Sequence, residues 1–426
     1  MKKIIASAGL IALGATGVHA AMDAAFDPND GKIWSVSATL RGFYDDNYAT
    51  APSGSSAKRH SYGYEVSPKG IVHFSNDQTD VGAQYVYSYR HYEDRTKDKA
   101  DNSHQADAWL KHRFNEKNSV LVTDSFVIAQ EPELIEPNFS TPTRANGDNI
   151  RNNGAISFNA GLTERMGLAF GYHNNFYDYK NDSGTTFAPS RSGLLDRIEH
   201  LANLDLRWKV QPQTTALLGY QFAWSDYNGD EPIVIDLADG TTLKSDVRNS
   251  RSHYAYVGVE HSMSDTWSAG VRLGGRYTDY YNTPDNETSF SPYANLLTRY
   301  TYSPGSYVEL GFRHDRNATD VISTTPTGGN RVTTDQESSS VYATLNHRIT
   351  PKLTGNLLGQ IQHSTFNGGE ADNAKDDFFI AGVNITYRFN HYFSAEAGYN
   401  YDRLDSDDPT RSFTRNRAYV GVTATY

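Results

Sequence analysis

The residues able to do chemistry in this sequence are charges rather than nucleophiles. Cysteine is absent, which removes thiolate catalysis, cysteine-held metals and disulfides at once. The fourteen histidines fall at no spacing that suits a metal, and neither a phosphate-cradling loop nor a zinc-hydrolase or nucleophile-elbow motif occurs. His261 and Ser262 form the nearest approach to a catalytic pair. Neighbours on a strand point to opposite faces, so these two cannot act on each other. What remains is arginine and carboxylate. Arg41, Arg90, Arg113, Arg207, Arg272, Arg276, Arg299, Arg313, Arg348, Arg388, Arg415 and Arg417 recur along the chain, with Glu309 and Glu396 among the acids that share their rows. Such groups either set a field across a water-filled passage or neutralise one another as wall ion pairs.

Which of these occurs depends on the face each residue occupies, and alternation in the sequence supplies that face. From Ile33 to Tyr426 apolar and polar residues alternate in blocks of about a dozen, the two-residue period of a strand. Between Phe393 and Tyr401 the odd positions are Phe, Ala, Ala, Tyr and Tyr, and the even ones Ser, Glu, Gly and Asn. The last block sets Ala418, Val420, Val422, Ala424 and Tyr426 against Arg415, Arg417, Tyr419, Thr423 and Thr425. Eighteen blocks can be counted, the first at 33–45 and the last at 413–426. A tilted strand crosses a bilayer in about 9–11 residues, whereas strands of soluble proteins commonly run about 5–6. These blocks have membrane length.

The connections alternate too. Short turns such as Gln211-Pro212-Gln213, Ser264-Asp265 and Thr350-Pro351-Lys352 follow even-numbered blocks, and long loops such as 131–149, 228–249 and 319–335 follow odd-numbered ones. Both termini then lie at the short-turn end. The reading is an all-β fold: a transmembrane, antiparallel, up-and-down β-barrel of eighteen strands, with sixteen as the alternative. With the apolar face toward lipid, the arginines line the lumen. Arg113, Arg207, Arg299, Arg348 and Arg388 stand within a few residues of short turns, hence at the periplasmic mouth. Glu65, Asp107, Asp124, Asp205 and Asp315 join Glu309 and Glu396 as inward acids.

The N-terminus carries its own signal. Lys2 and Lys3 precede an apolar run from Ile4 to Val18, and Val18-His19-Ala20 offers a cleavage site. Residues 1–20 are therefore read as a signal peptide, 21–32 as a short periplasmic segment and 33–426 as the barrel. Past the N-terminus no run of about 18 apolar residues appears, which excludes a helical membrane protein. Aromatic residues at 12% exclude a disordered chain. Removing the two lysines takes the formal charge from −11 to −13, and the nine long loops hold −11 of it, a solvated rim.

The signal peptide, the Tyr44-Asp45-Asp46-Asn47 tract, the proline-centred short turns and the closing Arg417-to-Tyr426 strand together resemble the outer-membrane porins, in particular the putative beta-barrel porin 2 family. The resemblance covers the whole mature chain. It implies passive diffusion of small hydrophilic solutes, or a part in polysaccharide export, and it marks Tyr419, Val420, Val422, Ala424 and Tyr426 as a C-terminal pattern for barrel-assembly machinery. It also suggests a constriction loop carrying Glu131, Glu133 and Glu136, although an outward lid suits that loop equally. The expected function is a porin of the bacterial outer membrane, not an enzyme. A conduit for exopolysaccharide and a barrel-anchored adhesion protein are the alternatives. Neither a cofactor, a metal nor nucleic acid is implied; the expected partners are outer-membrane lipid and lipopolysaccharide, with oligomeric state left open.

Overall fold

The computed structural model describes residues 32–129, 148–180, 190–227, 231–235, 242–283, 286–321, 332–369 and 371–426. The N-terminal stretch read as a signal peptide and Glu131, Glu133 and Glu136 lie outside the described residues. In chain order the strands are β1 (Trp34–Asp45), β2 (Ser61–Ser75), β3 (Thr79–Tyr92), β4 (Ala100–Arg113), β5 (Ser119–Ala129), β6 (Asn149–Gly161), β7 (Met166–Tyr179), β8 (Arg197–Gln211), β9 (Thr214–Tyr227), β10 (Pro232–Ile235), β11 (Thr242–Lys244), β12 (Ser250–Ser264), β13 (Trp267–Tyr280), β14 (Glu287–Ser303), β15 (Ser306–Asn317), β16 (Asp335–Arg348), β17 (Leu353–Asn367), β18 (Lys375–Arg388), β19 (Phe393–Ser406) and β20 (Phe413–Thr425). A five-residue helix, α1 (Arg191–Leu195), precedes β8.

Apart from the small β10–β11 hairpin, the strands form one eighteen-stranded antiparallel sheet, each pairing with the next. Strand β20 returns to β1, in register from Ser37↔Thr425 to Asp45↔Arg417. Closure leaves no edge, the condition for a sheet in hydrocarbon, where an unpaired peptide group costs several kcal/mol. Strand lengths run from 11 to 17 residues, enough to span and project.

The face assignment follows from exposure. Val420 is 64% exposed, Val257 60% and Leu218 59%, an arrangement that is unfavourable in water and favourable against acyl chains. Arg415, five residues before Val420, is buried on the other face. Aromatic rings collect near the short-turn end of the outer surface: Trp34 lies 5.8 Å from Tyr426, and Trp267 6.0 Å from Tyr300. They form the interfacial girdle of a membrane barrel.

One inward assignment fails. Asp124 shares the outer face with Val122 and Phe126, opposite Ala108 and Gly154, and Asn152 Nδ2 donates to both its oxygens at 3.2 Å. Apolar residues sit on both faces of β5, with Leu121 and Val127 inward, so apolar content alone does not mark its lipid side.

Candidate pore lining and its two mouths

All twelve arginines named from the sequence fall on lumen-facing positions, as do Glu309 and Glu396, but they divide by environment. Nine meet carboxylates. Arg41 reaches Glu396 at 2.6 Å and Glu65 at 3.3 Å, and Arg90 shares Glu65 at 2.8 Å. Arg415 grips Asp45 at 2.5 Å and Arg417 meets Asp402 at 2.8 Å. On the β8–β15 wall Arg207 pairs with Glu260, which Arg272 also contacts at 3.3 Å, and Arg276 and Arg313 share Asp315 at 3.1 and 3.0 Å. Arg299 lies 3.7 Å from Glu309. These networks face each other across the barrel as two nearly neutral walls.

The closing seam is part of the first wall. Asp45 and Arg415 are 370 positions apart yet sit together, each almost wholly buried, with Arg415 Nε and Nη2 both donating to the carboxylate. Thr39 and Thr423 hydroxyls meet at 2.9 Å lower on the seam. Of the C-terminal pattern, Val420, Val422, Ala424 and Tyr426 point outward. Tyr419 points inward. Its ring lies under Arg41 at 5.1 Å, and its hydroxyl accepts from Asn384 at 2.9 Å. A Cβ on Gly398 would come within 2.2 Å of that ring, so only glycine lets Tyr419 lie flat on the wall.

Arg113, Arg348 and Arg388 differ. They are exposed at the short-turn end, and no carboxylate contacts any of them among the described residues. Arg113 Nη2 donates only to the Asp77 carbonyl at 2.9 Å, and Arg348 Nη2 approaches the Pro351 carbonyl at 3.5 Å. Their charge is left to the solvent column.

The long-loop end holds what the sequence reading missed. Tyr177 and Tyr179, inward on β7, are buried in a cluster with Leu194 and Leu195 of α1, Ile233 of β10, Val247 and Val332. Three loops thus fold into the mouth. Ser190 caps α1 by accepting from Gly193 N at 2.9 Å, and Ser192 donates to Glu231 at 2.9 Å, joining α1 to the β9–β12 loop. Arg248, only 1% exposed, donates to the carbonyls of Leu194 (3.1 Å), Thr319 (3.0 Å) and Val321 (2.9 Å). Burial holds its pKa below the usual arginine value. No spacing rule announces such a residue, because its partners are main-chain atoms of distant loops. Apolar Leu194, Leu195 and Ile233 inside otherwise polar loops were the available signal.

Several histidines belong to the lipid-facing side, whereas His73 and His173 share the inward face of their strands. Tyr85 with His104, Tyr172 with His200 and Tyr220 with His253 each form a 2.7 Å bond between adjacent strands. In all three the tyrosine stands opposite an alanine, namely Ala106, Ala202 and Ala255. The small residue gives the ring room, and the bond satisfies its polar tip at the membrane interface.

A closed barrel of membrane-length strands, apolar outside and lined by charge, defines an outer-membrane channel. The chain belongs to the putative beta-barrel porin 2 family, whose model matches residues 33–426. A search of curated proteins found no match. Among solved structures the chain is similar to Acinetobacter baumannii OccAB4 (12% identity, TM-score 0.43, covering 94% of this chain and 100% of that one) and to a BenF-like porin from Pseudomonas fluorescens Pf-5 (12% identity, TM-score 0.44, 92% and 99%). It is also similar to Pseudomonas aeruginosa OpdK, solved with vanillate (14% identity, TM-score 0.44, 92% and 99%).

Proposed function

We propose that this porin passes small hydrophilic solutes by diffusion and favours anions at its periplasmic mouth. The observation that carries the anion preference is the exposed, carboxylate-free set Arg113, Arg348 and Arg388 at one end of a wall otherwise neutralised in pairs. A low-dielectric wall focuses the field of fixed charge into the water column, so three unneutralised guanidinium groups weigh more than nine paired ones. The chain reaches the outer membrane through export by its N-terminal signal, and the outward row Val420, Val422, Ala424 and Tyr426 is offered to assembly machinery. Lipopolysaccharide surrounds the long-loop rim.

Single-channel recording of the refolded protein in a planar bilayer tests the reading. Discrete conductance steps with a reversal potential displaced toward the chloride value in a KCl gradient are expected. Absence of steps from protein that shows the heat-dependent gel shift of a folded barrel would remove the channel assignment.

A further inference from the structure

Five aromatic rings on the lumen face each stand directly opposite a glycine of the neighbouring strand. Phe43 faces Gly63, Trp109 faces Gly82, Tyr256 faces Gly219, Tyr342 faces Gly311 and Tyr419 faces Gly398. A Cβ at any of these glycines would fall within 3.0 Å of a ring carbon, closer than such atoms come. Each ring therefore fills the space of the missing side chain, a close approach for which a strand tolerates glycine. The gap is one residue long. On the same face Gly82 lies between Asp80 and Gln84, Gly311 between Glu309 and Arg313, and Gly398 between Glu396 and Asn400.

The strands joined in this way share one property. β1–β2, β3–β4, β9–β12, β15–β16 and β19–β20 are all connected at the long-loop end, through residues 46–60, 93–99, 228–249, 318–334 and 407–412. A tight turn dictates the register of its hairpin by its own geometry, and a long loop does not. Alternation of faces supplies only half of what is missing. A slip by one residue would turn the polar row toward lipid, but a slip by two keeps both faces. That slip is the error these hairpins leave open, and the rings oppose it, because it would drive Trp109 onto Asp80 or Gln84 and Tyr342 onto Glu309 or Arg313.

We propose that the five rings are register keys, each fitting the glycine notch of its partner strand and so fixing the pairing of a hairpin whose loop leaves it undetermined. Polar ring tips extend the hold. Trp109 Nε1 donates to Asp80 at 2.7 Å, two residues from its glycine. The Tyr256 hydroxyl reaches past β9 to Asp205 on β8 at 2.6 Å, and the Tyr419 hydroxyl reaches past β19 to Asn384 on β18 at 2.9 Å. Each of these two rings ties three adjacent strands, so it transmits the register of its own hairpin to the next pairing.

The inference is independent of which solute passes, and register itself can be read because the chain holds no cysteine. Ala83 and Ala108 oppose each other on the lipid face of β3 and β4, with Ala106 and Leu110 two residues to either side of Ala108. Opposed Cα atoms lie about 4.5–5.5 Å apart, within reach of a disulfide, which fails beyond about 7 Å. Ala83→Cys is combined in turn with Ala108→Cys, Ala106→Cys and Leu110→Cys, refolded into lipid vesicles under oxidation and analysed by mass spectrometry. In the parent only the 83–108 pair should link. Adding Trp109→Ala is expected to raise linkage of the off-register pairs severalfold at the expense of the native one. Off-register linkage that stays at the parent level in folded Trp109→Ala protein overturns the proposal. If that variant does not fold, residues 93–98 are replaced by Asn-Gly, a turn that sets register unaided. Recovery of the folded gel shift then supports the key, and failure to recover overturns it, leaving the ring as packing alone.

Discussion

The two ends of this barrel use the same side chain for opposite purposes. At the long-loop end Arg248 is buried among carbonyls and Arg411 is locked between carboxylates, so neither guanidinium is available to a solute. At the short-turn end Arg113, Arg348 and Arg388 stand in water with at most a backbone carbonyl as neighbour. Loop length explains the contrast. A turn of two to four residues cannot fold back over its own strand, so charges beside it remain exposed; a loop of twenty can carry apolar residues inward and bury the arginine that ties them. Burial turns the charge into a fastener, and exposure leaves it as a field.

The carboxylate-paired wall arginines resemble Arg248 and Arg411 in this respect, and breaking one buried pair should produce the largest effect. Replacing Arg415 by Gln strands the Asp45 carboxylate at the seam, and removing one partner of a buried pair typically costs about 3–5 kcal/mol. Urea unfolding from lipid vesicles, followed by gel mobility, is expected to show a loss of that order. Arg388→Gln, which removes no pair, should leave stability unchanged. Equal losses would mean that burial does not distinguish the two groups.

Selectivity should respond in the reverse sense. Changing Arg113, Arg348 and Arg388 together to Ser should lower the anion-to-cation permeability ratio read from reversal potentials, most strongly in dilute salt, because the Debye length is about 10 Å at 0.1 M and shortens as salt rises. Changing Arg207, whose charge is already answered by Glu260, should shift it far less. A reversal potential that ignores the triple change would assign the rim arginines no part in conduction.

The smallest effect concerns the β1–β2 loop. Burial alone would raise the Asp46 carboxyl, but the backbone N–H of Asn416 at 2.6 Å, its side chain at 2.8 Å and Lys58 at 3.0 Å hold it below its ordinary value. A depressed folded pKa stabilises the docked loop above the ordinary carboxyl range and withdraws that support as pH falls through the folded value. Hydrogen exchange at residues 47–60, corrected for intrinsic rates, should therefore rise on acidification. Asp46→Asn should flatten that response, and an unchanged response would detach the loop from Asp46.

Much of the molecule was legible before folding because a membrane strand obeys a strict rule. Its period is two, its outer face must be apolar and its length must span, so the count of eighteen, the position of the termini and the inward direction of all twelve arginines follow from alternation and loop length. The rule weakens where both faces are apolar. On β5, Leu121 and Val127 face the lumen, and Asp124 was consequently placed on the wrong side.

What alternation cannot state is which side chains meet. Asp45 and Arg415 stand at opposite ends of the chain, and only closure of β20 on β1 brings them within bonding distance. Whether an inward arginine is neutralised, as Arg207 is by Glu260, or left free, as Arg388 is, depends on register and on side-chain reach between neighbouring strands. Arg248 lies furthest from sequence logic. Its acceptors are the carbonyls of Leu194, Thr319 and Val321, groups every residue possesses, so no residue type marks them. Period and composition determine a strand and its faces because those are local properties of the chain. The buried loop cluster at the long-loop mouth and the division of the arginines are decided by contacts between segments up to hundreds of residues apart, which only the closed barrel brings together.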